Sequence, residues 1–325
     1  MAISLFDPIK LGAIEAPNRI VMAPLTRGRA GPGFVPNELA REYYRQRASA
    51  GLIISEATGI SQEGLGWPNA PGLWTDAQVE GWKPVTDVVH EAGGRIIAQL
   101  WHMGRLVHSV FNDGKQPVSA SATTGTGRAH TPVGRMDLEE ARPLRLDEIP
   151  RLIGDYVKAA ENAKRAGFDG VQLHGANGYL IDQFLRDGSN LRDDDYGGSI
   201  ENRIRLLREV TQALIGVWGK DRVAVRLSPN GETQGVDDSA PEKLFPDPHT
   251  PAGCSPPSPH APVPPAPPPD RPDIAPWPPR PDKTPDSAAE SSCVVKSAHH
   301  PRHCSTRISL SSSLTNACLA FSGSS

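Results

Sequence analysis

The chain has 325 residues, with 34 Lys and Arg against 37 Asp and Glu, a formal charge of −3 and 38% hydrophobic residues. That balance excludes the basic footprint of a dedicated nucleic-acid binder, and no apolar run reaches the roughly 18 residues of a membrane span. The start, Met1-Ala2-Ile3-Ser4-Leu5-Phe6-Asp7, lacks the basic segment and apolar core of a secretory signal, so the expected location is cytoplasmic.

In chain order, short β-branched runs alternate with amphipathic stretches. Residues 18–24 (NRIVMAP) read as a strand, 36–50 as a helix closed by Gly51, and 52–57 (LIISEA) as a second strand. Asp76 is placed to cap a helix carrying Val79, Trp82, Val85, Val88 and Val89, ended by Gly93-Gly94. Residues 95–101 (RIIAQLW) form the third strand. The irregular stretch 102–145 is too long for a plain connector and reads as a functional loop. A helix opens at Asp147 and stops at Gly167. Residues 169–174 (DGVQLH) are the fourth strand, 199–217 a further helix, and 222–227 (RVAVRL) the fifth strand.

Alternation of this kind implies parallel strands joined by helical crossovers. Five units fit either a doubly wound sheet or the first part of a (β/α)8 TIM barrel. Polar residues at the strand ends favour the barrel, whose sites form at the C-terminal ends of its strands. No Gly-x-Gly-x-x-Gly follows an early strand, as a doubly wound dinucleotide fold would require.

After that the composition changes. Of the 33 prolines, 20 follow residue 240, and all four cysteines (Cys254, Cys293, Cys304, Cys318) lie in the same stretch, so disulfides are no part of residues 1–240. Ser239-Ala240-Pro241-Glu242 reads as a capped helix start, continued by Lys243, Leu244 and Phe245 and ended by Pro246, Pro248 and Pro251. The expected division is residues 1–245 as barrel and 246–325 as a disordered, Pro-rich low-complexity tail, read as an out-of-frame or misjoined coding segment. Strands six to eight, and the phosphate site that loops near the last two would build, have no counterpart in that tail.

Within the barrel part, period-two alternation puts Ile97, Gln99 and Trp101 on one face, Gln172 and His174 on one face, and Ala224 and Arg226 opposite Val223, Val225 and Leu227. A cation among inward positions requires a partner, which is either a structural salt-bridge layer or an anionic ligand. In His174-Gly175-Ala176-Asn177-Gly178-Tyr179, His and Asn three apart can turn two donors onto one acceptor, with a phenol close behind. The acidic run Arg192-Asp193-Asp194-Asp195 reads as a solvated loop. The tail's His299-His300-Pro301-Arg302-His303-Cys304 lacks a second ligand pair for zinc, and its prolines suit an extended ligand for an SH3-like partner.

Five blocks then occur in order: Ala23-Pro24-Leu25-Thr26-Arg27, Gln99-Leu100-Trp101-His102-Met103-Gly104-Arg105, His174-Gly175-Ala176-Asn177-Gly178-Tyr179-Leu180, Ser189-Asn190-Leu191-Arg192, and Tyr196-Gly197-Gly198-Ser199-Ile200-Glu201-Asn202-Arg203. Together they resemble the old yellow enzyme family, close to the bacterial N-ethylmaleimide reductase type. Asp193 departs from the family's usual Thr. Thr26, rather than Cys, matches the branch without a redox-tuning thiol there. The tail cysteines lack the clustering of the iron–sulfur-bearing dienoyl-CoA reductase branch.

The resemblance implies FMN at the top of the barrel, NADPH or NADH as reductant, and a small-molecule activated alkene (an α,β-unsaturated carbonyl or nitro compound) as hydride acceptor. It implies that Ala23, Pro24, Leu25 and Thr26 line the flavin, with Ala57 contacting the ring edge through its backbone. Gln99 would meet the pyrimidine edge, and Arg226 the N1/O2 side. His174 and Asn177 would hold the substrate oxygen, Tyr179 would protonate the α-carbon, and Trp101 would shape the pocket unless it is simply a packed aromatic. No metal is implied, and the oligomeric state is left open. The alternative reading is a catalytically inactive remnant with a disordered tail.

Overall fold

The computed structural model describes residues 3–229 and 233–245; the expected low-complexity tail lies outside the described residues. The chain opens with a small antiparallel hairpin, β1 (Ile9–Leu11) and β2 (Ile14–Ala16). Then come the strands β3 (Val21–Met22), β4 (Leu52–Gly59) and β5 (Ile96–Trp101). They are separated by helices α1 (Glu38–Arg45) and α2 (Asp76–Glu91). The stretch expected to be a long loop carries four short strands, β6 (Val118–Ser119), β7 (Arg128–Thr131), β8 (Gly134–Asp137) and β9 (Arg142–Pro143). Of these, β6 and β9 pair in parallel, and β7–β8 form a hairpin. Helix α3 (Ile149–Arg165) leads to β10 (Gly170–His174). Helices α4 (Leu180–Leu185), α5 (Ile200–Arg203) and α6 (Arg205–Trp218) lead to β11 (Val223–Arg226), and α7 (Pro241–Leu244) closes the described part.

The main sheet has the order β11-β10-β5-β4-β3, and every pair in it is parallel. Sequential strands lying side by side with helical crossovers give five consecutive units of a TIM barrel, as expected. Its central strands are buried along their whole lengths, which both-face coverage demands of a parallel sheet.

Alternation sorts the side chains into two cores. Ile53, Ile96, Ala98, Leu100, Val171, Leu173, Val223 and Val225 pack outwards against the helices. Leu52, Ile54, Ile97 and Ala224 face inwards, where Ile14 of the hairpin packs on them. The hairpin therefore lies against the end of the sheet opposite the strand C-termini. Its turn is tight: Gly12 has φ +60, a Cβ there would fall 2.1 Å from the Asp221 carbonyl, and Ala13 N donates to that same oxygen. The sequence reading passed over this hairpin, although the alternation Ile9-Lys10-Leu11 and Ile14-Glu15-Ala16 around a Gly signals one.

Several element ends differ from expectation for local reasons. Thr75, not Asp76, caps α2: its hydroxyl accepts from Gln78 N while Gln78 Oε1 accepts from Thr75 N, a reciprocal box. Asp76 instead pairs with Arg165 at 2.8 Å. The helix expected over 199–217 is two, divided at Ile204. Ser239 does not cap α7, because its hydroxyl donates to the Asp187 carboxylate.

Trp82 of α2 is fully buried, donates Nε1 to the Gly72 carbonyl at 3.2 Å and meets Phe168 edge-on at 5.1 Å. Trp82→Ala would remove one of the largest buried side chains of the helix–sheet core. We expect a loss of roughly 3–5 kcal/mol in denaturant unfolding, with the midpoint rather than the slope carrying the change.

Candidate active site

The register of the inner strands decides which polar residues meet. Gln172 pairs with Gln99 on one side and Ala224 on the other, and His174 pairs with Arg226. Residues paired across a parallel ladder point to the same face, so the row above Ile97 is Gln99, Gln172 and Ala224, and the next is Trp101, His174 and Arg226. The apolar floor thus gives way to a polar mouth at the strand C-termini.

Strand β4 reaches that mouth through an irregularity. Its pairing with β5 slips between Ile54 and Ala57, so Ser55 and Glu56 together oppose Ala98. Ser55 Oγ fills the gap by accepting from Gln99 N at 3.0 Å. Without the extra residue, Glu56 would follow Leu52 and Ile54 into the barrel. With it, the small Ala57 takes the place beside Gln99 and the carboxylate turns aside. Glu56 there accepts from the backbone amides of Arg27 (2.8 Å) and Gly28 (3.3 Å), tying down the loop that carries Ala23, Pro24, Leu25 and Thr26. Arg27 lies 3.3 Å over the Tyr43 ring, and the Tyr44 hydroxyl accepts from Glu56 N.

Three buried polar atoms on the inner face have no hydrogen-bond partner among the described residues: Trp101 Nε1, Gln172 Nε2 and His174 Nδ1. Gln172 spends its oxygen on Gln99 Nε2 at 2.7 Å, leaving its NH2 group unanswered. Arg226 meets no carboxylate among the described residues either, so the salt-bridge-layer reading of this cation finds no support. Unpaired buried polar atoms are costly and rare, and three of them beside the half-buried Arg226 cation fit a polar ligand able to carry negative charge.

Protonation follows from burial. Desolvation, and then the Arg226 charge, holds His174 well below the ordinary imidazole range, so the ring is neutral. Desolvation raises the Tyr179 phenol, against a hydrogen bond with Gln234 and the charge of Arg226, and keeps it protonated. Tyr179 packs edge-on against both Trp101 (5.0 Å) and His174 (4.8 Å). Trp67, Met103, Leu106, His130 and Gln234 complete a cleft beside it, with the His130 ring of the β7–β8 hairpin tilted against Trp67, centroids 4.8 Å apart. Asn177 follows β10 with φ +58.

The structure therefore gathers Ala57, Gln99, Trp101, His174, Arg226, Asn177 and Tyr179 at one end of the sheet, while Leu25 and Thr26 are exposed on the loop beyond β3. Several participants escaped the sequence reading. Gln172 is one of them; its signal in the sequence is its place on the inner face two residues before His174. Glu56 gave no signal, because the bulge that redirects it is a tertiary feature. Arg105 is buried and donates to Thr123 Oγ1 and to the Gln234 and Gly235 carbonyls, joining the loops after β5 and β11.

Other motif residues serve the scaffold. Asn190 donates to the Phe184 and Tyr196 carbonyls, and Arg203 to the Leu185 carbonyl and Asp238. Asp194 is held by Arg192 and accepts from Tyr196 N, so the acidic run closes a turn. No cluster of three metal-ligating side chains occurs among the described residues. No described helix is long and apolar enough to cross a membrane.

A parallel half-barrel with its polar residues collected at the strand C-termini is the front of a TIM-barrel site. Residues 4–243 match the NADH:flavin oxidoreductase / NADH oxidase family, and the chain belongs to that family, within which the old yellow enzymes fall. An old yellow enzyme homologue from Zymomonas mobilis is 65% identical, with a TM-score of 0.73 over 75% of this chain and 68% of that one. Morphinone reductase is 49% identical, with a TM-score of 0.72 over 74% and 66%. A putative 12-oxophytodienoate reductase 4 from Oryza sativa subsp. japonica is 46% identical over 245 residues, 74% of this chain. The match covers 63% of that relative's own length.

Glu56 yields a pH test. Desolvation raises its carboxyl from 4.5 to about 7, against the lowering effect of the Arg27 and Gly28 amides. A raised folded-state value contributes stability that is present below pH 4.5 and lost as pH rises through 7. Glu56→Gln keeps an acceptor for the two amides and cannot ionise. We expect the variant to be more stable than the parent at pH 8, by about 2–3 kcal/mol at most, and the difference to vanish below pH 4.5 in denaturant unfolding.

Proposed function

We propose that residues 3–245 form the flavin- and substrate-facing part of an FMN-dependent ene-reductase that uses NADH or NADPH and acts on α,β-unsaturated carbonyls or nitro-alkenes. The observation that carries this reading is the set of polar groups without a partner among the described residues, Trp101 Nε1, Gln172 Nε2 and His174 Nδ1, beside the Arg226 cation, which meets no described carboxylate. Support comes also from the family match and from a morphinone reductase structure described as a complex with tetrahydroNAD. Bound FMN would supply a two-electron carrier that takes hydride from the nicotinamide and delivers it to the alkene.

The residues present fit that group. Arg226, a permanent cation in a partly dry setting, would offset negative charge gained by the reduced ring. Gln99 and Gln172 present amide groups suited to a pyrimidine edge, while Ala23, Pro24, Leu25 and Thr26, with the Ala57 backbone, would line its other side. The phosphate site that loops near strands seven and eight would build has no counterpart among the described residues.

His174 and Asn177 would donate to the substrate oxygen and draw electron density from the double bond. Because His174 is neutral, it binds as a hydrogen-bond donor rather than as an acid. As hydride reaches the β-carbon, negative charge grows on that oxygen and both hydrogen bonds strengthen, so the pair favours the transition state over the bound substrate. Tyr179, held protonated by burial, would pass the proton on its hydroxyl to the α-carbon as the enolate collapses. Trp101 would wall the pocket and fix the Tyr179 ring edge-on.

The test is anaerobic. FMN should bind, shown by quenching of its fluorescence; NADH or NADPH should bleach the yellow complex, and 2-cyclohexen-1-one should restore the colour. Tyr179→Phe is expected to slow the restoration by roughly 100-fold or more while leaving the bleaching within about twofold. Colourless protein that never bleaches would sink the proposal and favour a remnant without catalysis.

A further inference from the structure

The segment after β10 holds two consecutive residues in the left-handed region, Asn177 at φ +58 and Gly178 at φ +75. Gly178 is obligatory on two grounds, since a Cβ there would also lie 2.6 Å from the Thr233 carbonyl. Asn tolerates this region better than most residues, yet it still needs an outside hold to stay there. Successive amides in this conformation form a concavity suited to an anion.

The anion belongs to the chain itself. Asp182 Oδ2 accepts from Gly178 N at 3.0 Å and from Ser228 Oγ at 3.3 Å. Ser228 Oγ in turn accepts from Asn177 N at 2.9 Å. The other oxygen, Oδ1, accepts from Arg186 Nε at 3.0 Å, and Arg186 also donates to the Ser228 carbonyl. Asp182 is 0% and Arg186 2% exposed. Burying such a pair typically costs as much as it returns, so stability alone gives little reason for it in place of two apolar side chains. What the pair provides is a fixed link between the turn after β10 and the segment after β11.

We infer that Asp182 and Ser228 are positioning residues for substrate binding, holding Asn177 in the backbone conformation that directs its side chain. The inference rests on the proposed role of Asn177 as a donor to the substrate oxygen. Asp182 acts on Gly178 directly and on Asn177 through the Ser228 hydroxyl. Neither residue transfers a proton or touches the reacting atoms.

Ser228→Ala is the informative variant, because it removes the acceptor of Asn177 N and keeps the Asp182–Arg186 pair. Asp182→Asn would also leave Arg186 short of a counter-charge and risks unfolding. Two measurements are made on the full chain. Deuterium exchange at the Asn177 amide needs no flavin, and is expected to rise at least tenfold in Ser228→Ala at an unchanged unfolding midpoint, with Ser228→Thr restoring protection. With FMN bound, KM for 2-cyclohexen-1-one is expected to rise about tenfold, while the rate of bleaching by NADH stays within twofold. Unchanged exchange overturns the inference, and so does faster exchange with an unchanged KM. A parent protein that binds no FMN would remove the proposed function instead, and the exchange measurement would then decide alone whether Ser228 holds the turn.

Discussion

Everything at the candidate site depends on the in-register parallel pairing of β5, β10 and β11. Parallel ladders place paired residues on the same face, so the matches Gln99 to Gln172 and His174 to Arg226 stack polar groups into rows above an apolar floor. A one-residue slip in β10 would exchange Gln172 and His174 for Val171 and Leu173. The polar groups would then lie in the helix-facing core, and the aliphatic ones in the mouth. The hydrophobic cost of that exchange locks the register, and the register assembles the site. Fold stability and site geometry are thus maintained by the same constraint.

The bulge in β4 is the one departure from this regularity, and it too serves the mouth. It admits Ala57, with a side chain small enough to leave the strand backbone approachable, and it frees Glu56 to hold the Arg27 and Gly28 amides. A similar arrangement recurs on the far side, where Asp182 and Ser228 hold the Asn177 and Gly178 amides. In both places a buried oxygen acceptor fixes a turn just beyond a strand end. The strands supply rigid positions, while these acceptors fix the loop backbone beyond them in one conformation.

The five strands were legible because each has a β-branched run bounded by glycine or polar residues, and three of the five candidate motifs stand at or just after a strand end. Arg226 was legible as a site residue for a physical reason: a guanidinium alternating inwards among valines demands an acceptor. The motifs alone could not separate chemistry from scaffolding. His174 and Tyr179 meet at the mouth, whereas Asn190 and Arg203 hold carbonyls at the end of α4. The long stretch between β5 and α3 hid its strands because β6 and β9 are two residues each and find each other across more than twenty residues.

By itself, then, the sequence determined the period-two alternation, the order of strands and helices, and the polar residue types gathered at the candidate site. Those are local properties, written in the spacing of apolar side chains and in the chemistry of single residues. Only the tertiary structure decided which carboxylates serve the site. Glu56 and Asp182 look like ordinary polar positions in one dimension. One is turned by a bulge that exists only through pairing with β5. The other gains its role only when the segment after β11 brings Ser228 beside the turn after β10. Contacts between distant segments carry no periodic signal, so the acceptors that fix the loops become visible only once the barrel strands are side by side.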